Sequence, residues 1–351
     1  MIKYNLIFTL DYEIHGNGDG NPMELMIEPT YRLMNLLEKY HQRLAIMADV
    51  AEILCFKRYR EETGHDDYHV AEIEEQLRDA IRRGHDVQLH IHSSYFKAQY
   101  KNGTFDQCIE EYNMAALPFE RIDEMVGECV TYLQNLLQPI KPDYKVWLFR
   151  AANWSMMPTE NLYKALIKHG ITHDTSVYKG GVQGGNVCYD YREAYDNLFA
   201  YPASMTNINE RDENGKLVEM PIYTEMRPFW DFVTPMRLFR MVRAKFHRHK
   251  KSSVKTSESA SADKNDNRHV SLKSFFRLSP LKMDFNQVDS RGLKRMMRNI
   301  MSKVVSNKVN VDRVDVVLIG HSKTFVPYNE KTLESFFKWI SSNKLIEQNK
   351  M

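Results

Sequence analysis

Short apolar runs alternate with helix-periodic stretches along most of this chain, and that alternation leaves few folds open. Residues 5–10, NLIFTL, are rich in β-formers and read as a buried strand. A helix follows, with Pro29 near its start and Leu33, Leu36, Leu37 and Tyr40 at helical spacing. LAIMA (44–48) is a second strand ending in Asp49; Ile73, Leu77 and Ile81 mark a helix stopped by Gly84, and DVQLHI (86–91) is a third strand. Ile122, Met125, Val126, Cys129, Val130, Leu133 and Leu137 describe a long amphipathic helix that halts before Pro139. KVWLF (145–149) is the fourth strand. A helix with Thr159 as N-cap and Gly170 just past its end leads to a short fifth strand, ITHD. The rhythm resumes with VDVVLIG (314–320) and a last helix around Leu333, Phe336, Phe337 and Ile340. Strands and helices joined by short connections in this order imply parallel strands with right-handed crossovers, in a barrel or a doubly wound sheet.

Composition adds boundaries. A chain of 351 residues with 43% hydrophobic content can bury one large α/β core, and a net charge of +2 gives no field that favours nucleic acid. Cys55, Cys108, Cys129 and Cys188 have no CxxC or zinc-finger spacing, so free thiols in a reducing compartment are expected. The apolar stretch near the amino terminus is cut by Asp11 and is too short for a signal peptide or a membrane span, so a cytoplasmic protein is expected.

Ionisable residues stand at the end of nearly every strand: Asp11 and Glu13, Asp49, His90 and His92, Arg150, Asp174, and His321. The carboxyl ends of parallel strands converge on one rim, where α/β folds place their chemistry. Asp49, followed by VAEIL, is read as a helix N-cap and set aside. His15, His65, His69, His85, His169 and His173 are read as solvated. Alternation puts Asp11 and Glu13 on one face, where two carboxylates repel unless a cation or a shared proton compensates; His90 and His92 have the same spacing. Together they point to a divalent-metal site with oxygen and nitrogen ligands, suited to zinc or another transition metal, with a buried ion network as the other reading.

These motifs resemble those of the polysaccharide deacetylases, the NodB-homology family of carbohydrate esterases (family 4-like). FTLDYE resembles the first motif, GHDVQLHIHSS the second, FRAANWS the third, GITHDTSV the fourth and VVLIGHSKTF the fifth, in the family's order. The resemblance implies a distorted (β/α) barrel with fewer than eight complete βα units, and a hydrolase that removes an acetyl group from an N- or O-acetylated sugar or polysaccharide precursor. It implies Asp11 as catalytic base, Arg150 holding it, His321 as general acid, and Asp174 orienting His321 or Arg150. Glu13 and His90 become ligands of a divalent metal, with His92, Ser94 or water as the third. Trp154, in the loop after the fourth strand, has two readings, stacking on a sugar ring or covering the core. The third motif has Ala152 and Trp154 where the family usually carries a proline and a glycine, and the first has Tyr12 between its two acids. The alternatives are an amidohydrolase acting on a non-sugar C–N bond and a degenerate glycan-binding barrel.

The stretch from about 228 to 310 breaks the rhythm and is read as an insertion in a single domain spanning 1–351. Residues 250–268 have no aromatic residue and one valine, too little to offset the entropy of ordering. Residues 235–251 interleave basic and apolar side chains. They read first as a solvated helical lid and second as an interfacial helix making weak contact with an anionic membrane surface.

Overall fold

The computed structural model of the protein describes residues 2–14, 18–232, 278–307 and 311–343. His15, the basic stretch 235–251 and the polar stretch 250–268 lie outside them. Fourteen strands are described: β1 (Lys3–Tyr12), β2 (Leu44–Asp49), β3 (Asp86–Ile91), β4 (Gln99–Lys101), β5 (Thr104–Asp106), β6 (Leu148–Ala151), β7 (His173–Asp174), β8 (Val182–Gln183), β9 (Tyr189–Asp190), β10 (Tyr201–Pro202), β11 (Val218–Glu219), β12 (Thr224–Arg227), β13 (Ser279–Lys282) and β14 (Arg313–His321). The α-helices are α1 (Glu28–Lys39), α2 (Val50–Thr63), α3 (Val70–Arg82), α4 (Phe119–Leu137), α5 (Thr159–Lys168), α6 (Ser290–Ser306) and α7 (Pro327–Ser342).

Eight strands form one curled sheet in the order β10-β11-β7-β6-β3-β2-β1-β14, parallel except where β10 meets β11. The gap between its two ends is spanned by irregular chain. Ile222 donates to the Val177 carbonyl beyond β7 and forms a parallel bridge with Val317 of β14. Phe285 and Ile319 add a further link, Phe285 N to Ile319 O at 2.9 Å. The stretch read as an insertion at about 228–310 also contributes to this closure. From residue 278 onward its described part belongs to the fold, because β13 pairs with β12 and α6 buries Leu293, Met296, Met297, Ile300 and Val304 in the main core.

The central strands β1, β2, β3, β6 and β14 bury both faces along most of their length, as their continuous apolar runs require. Along β1, Leu6, Phe8 and Leu10 join the main core beneath the helices, with Leu37 of α1, Leu77 of α3, Leu133 of α4 and Phe337 of α7. The opposite parity lies inside the barrel: Met47, Leu148, Met220, Ile222, Val317 and Ile319 form a small second cluster, with Ile7 packed on it. Above that plug the inward positions turn polar. Two expectations need correction locally. Pro158, not Thr159, is the N-cap of α5, and Thr159 Oγ1 instead accepts from Ile208 N. His85 is buried rather than solvated: its Nδ1 accepts from Leu44 N, its Nε2 faces Glu38, and burial pushes its imidazole down to about 4.

Candidate active site

Strand register decides which polar residues meet. β1 pairs Asp11 with His321 of β14, β2 pairs Asp49 with His90, and β3 pairs His90 with Arg150 of β6. Because side chains alternate, the inward parity that carries Ile7 and Thr9 also carries Asp11 and Glu13. The result is a cavity of about 440 Å3 whose floor holds Asp11, Glu13, His90, His92, His321 and Lys323. Tyr112, Trp154 and the glycine-rich turn Gly184–Gly185 between β8 and β9 form part of its wall.

Arg150 is fully buried and organises one half of the floor. Its Nη1 donates to Asp11 Oδ1 at 2.6 Å, its Nη2 to Thr9 Oγ1 at 2.8 Å, and its Nε to the Thr175 carbonyl at 3.0 Å. Burial pushes the Asp11 carboxyl up, but the charges of Arg150, then His321 and His90, outweigh it and hold the group below its ordinary value. His321 Nε2 lies 3.5 Å from Asp11 Oδ2. Burial holds this imidazole below its ordinary value although Asp11 and Glu13 pull the other way. The strand end is fixed by Asn286, whose Oδ1 accepts from His321 N at 2.8 Å. Gly320 makes that approach feasible, since a Cβ there would stand 2.1 Å from the Phe285 ring and 2.3 Å from Asn286 Oδ1.

Glu13, His90 and His92 form the other half. One carboxylate oxygen and one nitrogen from each imidazole all lie within 4.8 Å of one another, and all three residues are buried. His90 donates its Nδ1–H to the Arg150 carbonyl (2.9 Å), which leaves Nε2 facing Glu13 Oε2 at 3.3 Å. His92 Nδ1 lies 2.8 Å from Asp49 Oδ2 and 3.2 Å from Glu13 Oε2, and its backbone N–H donates to Asp49 Oδ1. Burial pushes the His90 imidazole down, but the Glu13 hydrogen bond and then the Asp11 charge raise it to about 9. A buried oxygen–nitrogen–nitrogen donor set with its imidazoles oriented by a carbonyl and a carboxylate fits a divalent cation. Ser94 does not complete this set: its hydroxyl donates to Gln107 Oε1 and does not line the cavity.

Three residues differ from the sequence reading. Asp49 does cap α2, accepting from Glu52 N, but it also holds His92, so it belongs to the site. The same strand-end position that singled out the others could have found it. Asp174 bonds to neither His321 nor Arg150. It accepts from Ser176 Oγ and N, Ser176 Oγ accepts from Ala151 N, and the buried Glu219 of β11 stands in register beside it. Burial raises both carboxyls, and the neighbouring Asp174 raises Glu219 further. Lys323, unmarked by any strand-end pattern, reaches the cavity floor and Glu13.

Trp154 lies where expected, on the cavity wall, and its backbone explains how. Asn153 and Trp154 both adopt left-handed φ values, 50° and 65°, sparsely populated by non-glycine residues. Tyr191 holds the turn: its hydroxyl donates to the Trp154 carbonyl and accepts from Met156 N. Lys282 Nζ sits 3.9 Å from the indole centroid, and His321 packs edge-on at 6.0 Å.

No family model and no curated protein matches the chain. Among solved structures it is similar to a Mycobacterium smegmatis protein provisionally named a polysaccharide deacetylase, with TM-score 0.50, 11% identity, and coverage of 98% of this chain and 86% of that one. Two others are a 4-alpha-glucanotransferase from Thermococcus litoralis (TM-score 0.48, 13% identity, 99% and 39% covered) and a PuuE allantoinase (0.47, 10%, 98% and 86%). The mostly parallel, curled sheet with its surrounding helices is the architecture that the chain shares with the first of these over nearly its full length. The chain has the fold of the polysaccharide deacetylases.

Proposed function

We propose that the protein is a metal-dependent hydrolase that removes an acetyl group from an N- or O-acetylated sugar in glycan or envelope polysaccharide synthesis, acting in the cytoplasm. The observation that carries this reading is Asp11 held between Arg150 and His321, in one cavity with the Glu13–His90–His92 cluster. A divalent ion held by Glu13, His90 and His92, zinc by its donor set, would supply Lewis-acid polarisation of the acyl carbonyl and a more acidic water. Arg150 keeps Asp11 ionised, and Asp11 takes the proton of the attacking water as that oxygen bonds to the acyl carbon. His321, within reach of Asp11, delivers a proton to the nitrogen or oxygen that leaves as the carbon–heteroatom bond breaks. The products are acetate and the free amine or alcohol. Trp154 offers an aromatic wall against which a sugar ring can lie.

The shape of the site also bears on the substrate. A cavity of about 440 Å3 with a floor made of ionisable groups accommodates one sugar residue at the reacting position. The test is acetate release across a panel of acetylated sugars, nucleotide sugars and oligosaccharides, with metal analysis of the same preparations. Substitution Asp11→Asn is expected to abolish turnover while retaining bound metal, and His90→Ala to lose both. A purified protein that holds no divalent metal and releases no acetate from any acetylated sugar would refute the proposal. No helix among the described residues is long and apolar enough to cross a membrane.

A further inference from the structure

The cavity holds a cation that the proposed reaction does not use. Lys323 stands two residues beyond His321, on the short turn Ser322–Thr324 that follows β14. Its side chain is 18% exposed, and Nζ lies 3.3 Å from Glu13 Oε1. Glu13 therefore faces different partners with its two oxygens: Oε2 lies toward His90 and His92, and Oε1 toward the Lys323 ammonium.

Two consequences follow from charge alone. A carboxylate as buried as Glu13 is costly without a counter-charge, and the ammonium supplies one in the absence of metal. A protonated lysine cannot ligate a metal, yet it brings a unit positive charge to the carboxylate that anchors the cluster. In a partly desolvated cavity that charge repels a divalent ion strongly, because the interaction is screened far less than in water. The same side chain thus favours the metal-free site and opposes the metal-bound one.

We propose that Lys323 is a resident counter-cation of Glu13 that stabilises the metal-free site and competes with a divalent ion for it. The Glu13–His90–His92 cluster then binds metal more weakly than its ligands alone would dictate. This rests on the reading of that cluster as a metal site. The role is one of tuning: Lys323 lowers the occupancy of the site at a given free-metal concentration, and the protein gives up its ion more readily than one with an apolar residue at this position.

The experiment uses the full chain and zinc ion. Zinc affinity is measured by competition with a chromophoric chelator, and thermal unfolding is measured separately in excess EDTA. Lys323→Gln and Lys323→Met are expected to bind zinc at least about tenfold more tightly and to unfold at lower temperature in EDTA. Lys323→Arg keeps the charge and is expected to stay within about threefold of the parent. This opposition of sign separates a counter-cation from a residue that merely packs, whose loss would weaken both measurements. Unchanged or weaker zinc binding in both neutral variants overturns the proposal, as does a neutral variant that fails to fold with zinc present as well as in EDTA. His90→Ala is the control for the underlying reading. If it binds zinc as the parent does, the metal site itself is misplaced; if it does not, and the neutral variants match the parent, only the role of Lys323 fails.

Discussion

Replacing Arg150 with methionine tests the electrostatic logic of the site most directly. Arg150 is fully buried, and the substitution keeps much of its apolar stem while removing the guanidinium. Asp11 then loses its 2.6 Å partner, and the Thr175 carbonyl loses the donor at 3.0 Å. Breaking a buried pair by removing one member costs roughly 3–5 kcal/mol, because the remaining charge stays desolvated. Urea unfolding at pH 7 should show a loss of that order. The pH dependence supplies the sharper check. In the parent protein Asp11 is depressed below 3.8, so its contribution is present above that value and is lost as pH falls through the folded value. In the variant, burial acts without Arg150, the carboxyl rises, and stability is lost as pH climbs. The gap between the two proteins should therefore widen from pH 4 to pH 7. Adding Asp11→Asn to the variant should recover part of the loss, a coupling of about 2 kcal/mol or more in a double-mutant cycle. A variant within about 1 kcal/mol of the parent, or a gap that does not change with pH, would refute this account of the pair.

Asp49→Asn should weaken zinc binding by about 10- to 100-fold in chelator competition, since the helix cap survives but the charged acceptor behind His92 does not; parental affinity would contradict the orienting role. Glu219 has a folded pKa raised by burial and then by Asp174, so the stability tied to it is full below the unfolded value near 4.5 and is lost as pH rises through the folded one. On moving from pH 5 to pH 8, the melting temperature of the parent should accordingly drop further than that of Glu219→Gln, and the reverse order would count against a raised Glu219 carboxyl. For turnover, His321 must give up a proton and burial holds it below 6.5, so kcat/KM should decline as pH rises past that lowered value. The limb should vanish in His321→Asn; an unchanged limb would assign it to another group.

Much of the architecture was legible because it is local. The apolar runs and helical spacings that mark β1, β2, β3, β6 and β14 lie within short windows, and termination by Gly84 and Gly170 follows from left-handed φ values, 78° and 80°. The pairing of Asp11 with Glu13 on one face needed only the two-residue period of a strand. Asp49 was harder to judge, because capping α2 and holding His92 use the same carboxylate, and only the first is visible from neighbours in the chain.

What the sequence by itself determined was the set of strand ends and the parity of the side chains on them, since both depend on residues a few positions apart. Tertiary structure alone decided which ends meet. The order β6-β3-β2-β1-β14 brings Arg150, His90, Asp49, Asp11 and His321 to one layer, and the same curl leaves Asp174 behind the rim beside Glu219. Closure through residues 220–223 and 283–285 drew in a segment whose rhythm looked foreign, because its few backbone bonds to β14 have no periodic signal. Lys323 escaped for the same reason: a lysine in a turn reads as solvated until a carboxylate more than three hundred residues away folds against it.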